Sequence, residues 1–203
     1  MATLDLSPDQ LLSTTRAVRR RLDFDRPVPD GLIRECVDLA LQAPSSANQV
    51  SMQFVIVRDE ALRVAVAEQY RAVYGQYRKS PRHSQTEMEQ PRLTESSDYL
   101  AANLAKAPVY VLGCNTGRTH EEAAKGMDSI LPAMWSFMLA ARARGLGTAW
   151  TTAHRQRERE IAQILDIPYE QTSMAVLTPL AFTIGLDFKP AHRPPADDVM
   201  LWR

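Results

Sequence analysis

The stretch 127-MDSILPAMWSFMLAARARG-145 limits the possible folds more than any other part of the chain. Met127, Ile130, Leu131, Met134, Phe137, Met138 and Ala141 trace one wide helical stripe. Ala133, Trp135, Leu139 and Ala140 make most of the remaining surface apolar too. A helix that is hydrophobic all round must be buried on more than one side. In a chain of 203 residues, that means a central core helix or a subunit interface. Pro132 either marks its first turn or kinks it.

The rest of the sequence supplies elements that could surround such a helix. Ser7 and Pro8 open a short first helix. Asp30 can cap a second, whose Leu32, Ile33, Cys36, Val37, Ala40 and Leu41 share a face up to Pro44. Residues 53–59 read as a strand and Glu60 to about Tyr77 as a helix. The polar segment 79–92 contains two prolines and no periodicity, and reads as a surface loop, either a plain connection or a lid. A helix from about Leu93 to Lys106 leads into 108-PVYVLGC-114, a continuously apolar strand expected to be covered on both faces. Gly145 ends the core helix in GLGTAW. A helix from about Arg155 to Leu165 precedes a strand over 173–185. The tail 186–203 is proline-rich, yet it carries Phe188, Val199, Leu201 and Trp202, so it should lie on the body or on a partner subunit. No repeat or linker divides the chain, and a single domain over residues 1–203 is expected.

Several kinds of chemistry are disfavoured. Zero formal net charge gives no global field for nucleic acid or an acidic membrane. No apolar run approaches the roughly 20 residues of a membrane span, and a signal segment is missing, so a cytoplasmic location is expected. Cys36 and Cys114 lack metal or redox spacing and read as core thiols, with no disulfide. The four histidines are scattered, without the spacing of a zinc site. There is no GxSxG elbow and no P-loop, and Trp150 breaks the GxGxxG pattern begun by Gly145 and Gly147. Glu121/Glu122 and Asp197/Asp198 are adjacent in sequence and read as solvated. No residue set makes its own nucleophile or acid–base pair, so a bound cofactor should carry any chemistry.

Four polar clusters remain. Arg16, Arg19, Arg20 and Arg21, with Arg26, form a basic stretch that alone reads as a solvated face. PSSAN runs from Pro44 to Asn48, and GLGTAWTT from Gly145 to Thr152. KPAHRPP carries Lys189, His192 and Arg193. Together they offer guanidinium groups for a phosphate and short polar loops for the edge of a flat ring.

TTRAVRRRLDFDRPVP, LALQAPSSANQ, a strand and GLGTAWTT, in this order and spacing from about residue 11 to the C-terminus, resemble the FMN-dependent nitroreductase family. The RLDFDRPVP stretch, the IPY turn and the G-DF-PA-R-P-W tail resemble an actinobacterial branch most closely. The resemblance implies an α+β fold with a mixed, mostly antiparallel sheet flanked by helices, in an intertwined homodimer with a C-terminal extension. It also implies FMN at the subunit interface, built from both chains.

By the same resemblance, Arg16-Ala17-Val18-Arg19 binds the FMN phosphate or reaches the pyrimidine side of the ring. Ala17 replaces the usual serine and leaves only its backbone N–H. Arg193 and Lys189 close the phosphate site. Pro44, Ser45, Ser46 and Asn48 lie along the flavin, and Trp150, Thr151 and Thr152 cover its central nitrogen. A backbone N–H from Thr151 or Thr152 would donate to that nitrogen. The loop that usually runs N-x-Q-P-W is Asn48-Gln49-Val50-Ser51-Met52 here, which alters the pocket. The implied activity is NADH- or NADPH-dependent reduction of a small nitroaromatic, quinone or other conjugated acceptor. Alternatives are a flavin-dependent dehydrogenase, dehalogenase or flavin-fragmenting enzyme, or a non-catalytic flavin or deazaflavin binder for storage or sensing.

Overall fold

A computed structural model describes residues 3–48 and 50–203. In chain order the elements are α1 (Pro8–Thr14), β1 (Leu22–Asp23), α2 (Asp30–Ala40), β2 (Met52–Val57), α3 (Glu60–Arg78), α4 (Pro81–Glu89), α5 (Pro91–Asn103), β3 (Val109–Thr116), α6 (His120–Lys125), α7 (Met127–Ala143), β4 (Leu146–Thr148), α8 (Glu158–Ile164) and β5 (Thr172–Thr183). The strands lie in the order β1-β5-β3-β2, with β4 also paired to β5. Every ladder is antiparallel. Among the described residues parallel pairing survives only as the isolated bridge Ala17–Thr148, and this is what remains of the expected mixed sheet.

The sheet separates two apolar cores, and β3 shows how. Side chains alternate across a strand: Tyr110, Leu112 and Cys114 enter one core, while Val109 and Val111 enter the other. The first core joins α3, α5 and α8 through Val66, Tyr70, Leu100 and Ile161. The second joins α2 and α7 through Ile33, Cys36, Ile130, Met134 and Phe137. With both faces covered, β3 is buried from Val109 to Asn115, as its unbroken apolar run requires. The two cysteines fall in different cores and are free. Desolvation by burial pushes their thiols up, to about 11 for Cys36 and about 12 for Cys114, so neither is a ready nucleophile.

Helix α7 packs against α2 and against β2, β3, β4 and β5, which accounts for most of its all-round hydrophobicity. Trp135 is the remainder, 39% exposed. Pro132 sits inside the helix, beyond its first turn. Gly145 follows with φ +74° and donates its N–H to the Arg142 carbonyl, so the helix ends in the left-handed turn glycine permits.

Three expected details differ. Asp30 is the first helical residue rather than the cap, and its carboxylate pairs with Arg58. The expected helix from Arg155 begins as a 3-10 turn over Ala153–Arg157 before α8. The supposed loop 79–92 is mostly α4. Ser80 accepts the His83 N–H and Pro81 occupies the first turn, a start signal masked by the polarity of the segment. His83 anchors α4, buried with its ring edge-on to Tyr77 at 5.2 Å.

Candidate functional site

The basic segment after α1 is fixed by the edge of the GLGTAWTT stretch. The Val18 N–H donates to the Thr148 carbonyl at 2.7 Å, and Val18 itself is buried. Gly147 makes this approach possible. A Cβ there would lie 2.8 Å from Thr183, 2.9 Å from Leu22 and 3.0 Å from Val18. The flanking arginines are thereby held in an open cleft. Arg16, Ala17, Val18, Arg19, Arg20 and Arg21 line it, with Ser96 from α5 and the tail residues Asp187, Phe188 and Lys189. Its volume is about 340 Å³.

The cations of this cleft are unevenly compensated. Arg21 pairs with Asp187 and Arg20 with Glu95. Arg16 donates to the Lys189 backbone carbonyl at 2.8 Å and Arg19 to the Ser96 hydroxyl at 3.5 Å. Neither Arg16 nor Arg19 has a carboxylate partner among the described residues. Burial lowers the Arg19 pKa, partly offset by Tyr70 and Tyr74. A cationic pocket with uncompensated guanidinium groups suits an anion with several oxygens, such as a phosphate ester. Arg193 is not among the lining residues; its hydrogen bond within the described residues goes to the neighbouring His192 carbonyl.

The Trp150–Thr152 segment continues from this edge. Thr151 is committed to the sheet: its N–H and hydroxyl both donate to the Leu177 carbonyl, and its own carbonyl accepts the Leu177 N–H. Thr151 therefore cannot be the expected backbone donor to a ligand. The N–H groups of Trp150 and Thr152 have no acceptor among the described residues, and both residues are exposed. Sequence reasoning treated the two threonines as equivalent because the bridge to Leu177 is non-local.

The PSSAN loop is tied to α7 instead. The Ser46 N–H donates to the Ser129 hydroxyl of α7 at 2.9 Å, and the Asn48 N–H to the Ser45 carbonyl. Ala47 and Asn48 are both left-handed, with φ 52° and 55°. Two successive non-glycine residues in that region are costly, a feature that clusters at ligand clamps. Pro44 is exposed. A second cleft of about 430 Å³ has Ser46, Ala47, Ser51, Asn115, Gly126 and Ser129 in its lining. It shares no residue with the arginine cleft. Gln49 lies outside the described residues. Val50 is 75% exposed, whereas Met52 begins β2 and packs on the second core.

The structure thus brings Arg16, Ala17, Val18, Arg19 and Lys189 together in one cleft that docks on Thr148, and the lining of that cleft does not include Trp150–Thr152, Pro44–Asn48 or Arg193. Ser96 and Phe188 were not singled out from sequence as members of the site. Ser96 arrives on a helix distant in sequence, and Phe188 looked like an ordinary apolar tail residue.

The sequence model described as the Nitroreductase family matches residues 12–184. The chain is 40% identical over 75 residues to an NADH dehydrogenase of Thermus thermophilus, an alignment that takes in 37% of this chain and 35% of that protein. Among solved structures, a BluB-like flavoprotein from Clostridium difficile superimposes with a TM-score of 0.71 at 18% identity, covering 98% of this chain and 99% of that one. A protein from Desulfovibrio desulfuricans solved in complex with FMN gives a TM-score of 0.69 at 17% identity, with 97% of each chain covered. The antiparallel sheet between two helical layers is therefore the nitroreductase-like α+β fold, and the chain belongs to the Nitroreductase family.

Proposed function

We propose that this protein is an FMN-dependent NAD(P)H oxidoreductase that works as a homodimer. In a ping-pong cycle, NADH or NADPH delivers reducing equivalents and a nitroaromatic, quinone or other flat conjugated compound removes them. The observation that carries this reading is the cationic cleft lined by Arg16, Arg19 and Lys189, whose arginine segment docks on the β4 edge at Thr148. The stretch that runs on from Thr148 carries the N–H groups of Trp150 and Thr152, which have no acceptor among the described residues.

These residues fit the cofactor. FMN presents a phosphate at one end and a polar heteroaromatic edge at the other, and the chain offers guanidinium groups for the first and backbone donors for the second. Bound FMN supplies the two-electron redox chemistry, and no side chain is required as a catalytic acid. Arg16 and Arg19 neutralise the phosphate. The Thr152 N–H would be the donor to the electron-rich edge of the ring, where a fixed dipole stabilises negative charge without reorganising. Arg193 would serve as an outer contact to the phosphate.

A dimer supplies the other wall. The PSSAN loop and the arginine cleft share no lining residue, so Pro44, Ser45, Ser46 and Asn48 from a second copy would lie along the ring. Trp135 and the exposed tail residues Val199, Leu201 and Trp202 offer apolar surface to that partner. The Desulfovibrio structure carries FMN and the Thermus relative is named for NADH, both in line with the reading.

Arg16→Ala tests it. Loss of a charge-assisted phosphate contact should weaken FMN binding about 10- to 100-fold, measured by equilibrium titration of the flavin-free protein. An unchanged affinity would remove the phosphate site from this cleft.

A further inference from the structure

Phe188 sits where the tail meets the arginine segment. Two guanidinium groups approach its ring: the Arg21 Cζ lies 4.3 Å and the Arg142 Cζ 4.8 Å from the centroid. Both arginines also hold the backbone just before it. Arg21 donates to the Ile184 carbonyl at 2.7 Å, the Asp187 carbonyl at 3.2 Å and the Asp187 carboxylate at 2.9 Å. Arg142 donates to the Leu186 carbonyl at 3.0 Å and weakly to the Thr14 hydroxyl.

Two features show that this junction is built rather than incidental. Arg142 is 4% exposed, and its Nε and Nη1 have no hydrogen-bond partner among the described residues. A buried guanidinium is costly without compensation, and the Phe188 ring face supplies part of it. Gly185 has φ +75°, and a Cβ there would lie 2.4 Å from the Arg21 Nη2. Glycine enters this left-handed turn without strain, and a side chain there would displace the end of Arg21. One residue beyond the ring, the Lys189 carbonyl receives the Arg16 Nη1.

We infer that Phe188 is a positioning residue for the phosphate end of the flavin site. Gripped by Arg21 and Arg142, it fixes the carbonyl of Lys189, which in turn aims Arg16 into the cleft. The inference rests on the proposed FMN reading but reaches residues that make no expected contact with the ring system.

The test compares FMN with riboflavin, which lacks the phosphate, on wild type, Phe188→Leu and Phe188→Tyr. Replacing the ring by an aliphatic chain should cost about tenfold in FMN affinity, leave riboflavin affinity unchanged, and be rescued by tyrosine. Hydrogen exchange of the 184–189 backbone in flavin-free protein should accelerate in Phe188→Leu only. If Phe188→Leu fails to fold, Arg142→Gln is read for the same two effects. Equal losses for FMN and riboflavin would mean a merely structural role, and unchanged exchange with unchanged FMN affinity would also overturn the inference. A wild type that binds neither flavin would instead sink the FMN reading, while the exchange result still judges the grip on the tail.

Discussion

His154 is wholly buried in the turn before α8, and neither ring nitrogen makes a well-formed hydrogen bond. Desolvation, then the charge of Arg155, push its pKa from 6.5 down to about 4, against a weaker opposing contact with the Met174 backbone. The folded protein therefore binds fewer protons at this site than the unfolded chain in the interval between those values. Stability from the neutral ring is complete above about pH 6.5 and is lost as pH falls towards about 4. The full loss is about 3 kcal/mol, at roughly 1.4 kcal/mol per unit. Urea unfolding at about pH 7.5 and about pH 4.5 should show this slope in wild type and a shallower one in His154→Phe. Equal slopes would contradict it. At this scale the sequence was least informative. Nothing in GLGTAWTT distinguishes Thr151 from Thr152, because the difference is a bridge to Leu177 that only the closed sheet creates.

Elements were more legible where one local signal ruled. Ser7 and Pro8 start α1 with a full capping box, and the continuous apolar run of β3 is buried as its pattern requires. Helix α4 was missed because its anchor, His83 against Tyr77, is polar in the sequence and apolar in its setting. The junction of β4 with the arginine segment depends on a contact no pattern announces, the absent Cβ of Gly147. Gly147→Ala must push Thr183, Leu22 or Val18 aside, and overpacking of this kind costs about 1–3 kcal/mol. A fall in Tm with a parallel loss of FMN affinity is expected, since the same contact holds Arg16 and Arg19 at the cleft. An unshifted Tm would show that the segment adapts freely.

For the whole molecule, the α7 stripe correctly required burial on several sides, and the sheet with α2 provides most of it. Trp135, Leu201 and Trp202 keep exposed faces. The separation of PSSAN from the arginine cleft was invisible in the sequence, where the clusters could only be counted, not located. Both observations fit a flavin site completed between two copies. The most direct test is an anaerobic titration of FMN-loaded protein with NADH, repeated with NADPH, followed by visible absorbance. The expected result is bleaching of the flavin colour by at least one of the two nicotinamides, and its return on adding a quinone. Colour that persists under both reductants would contradict the oxidoreductase reading.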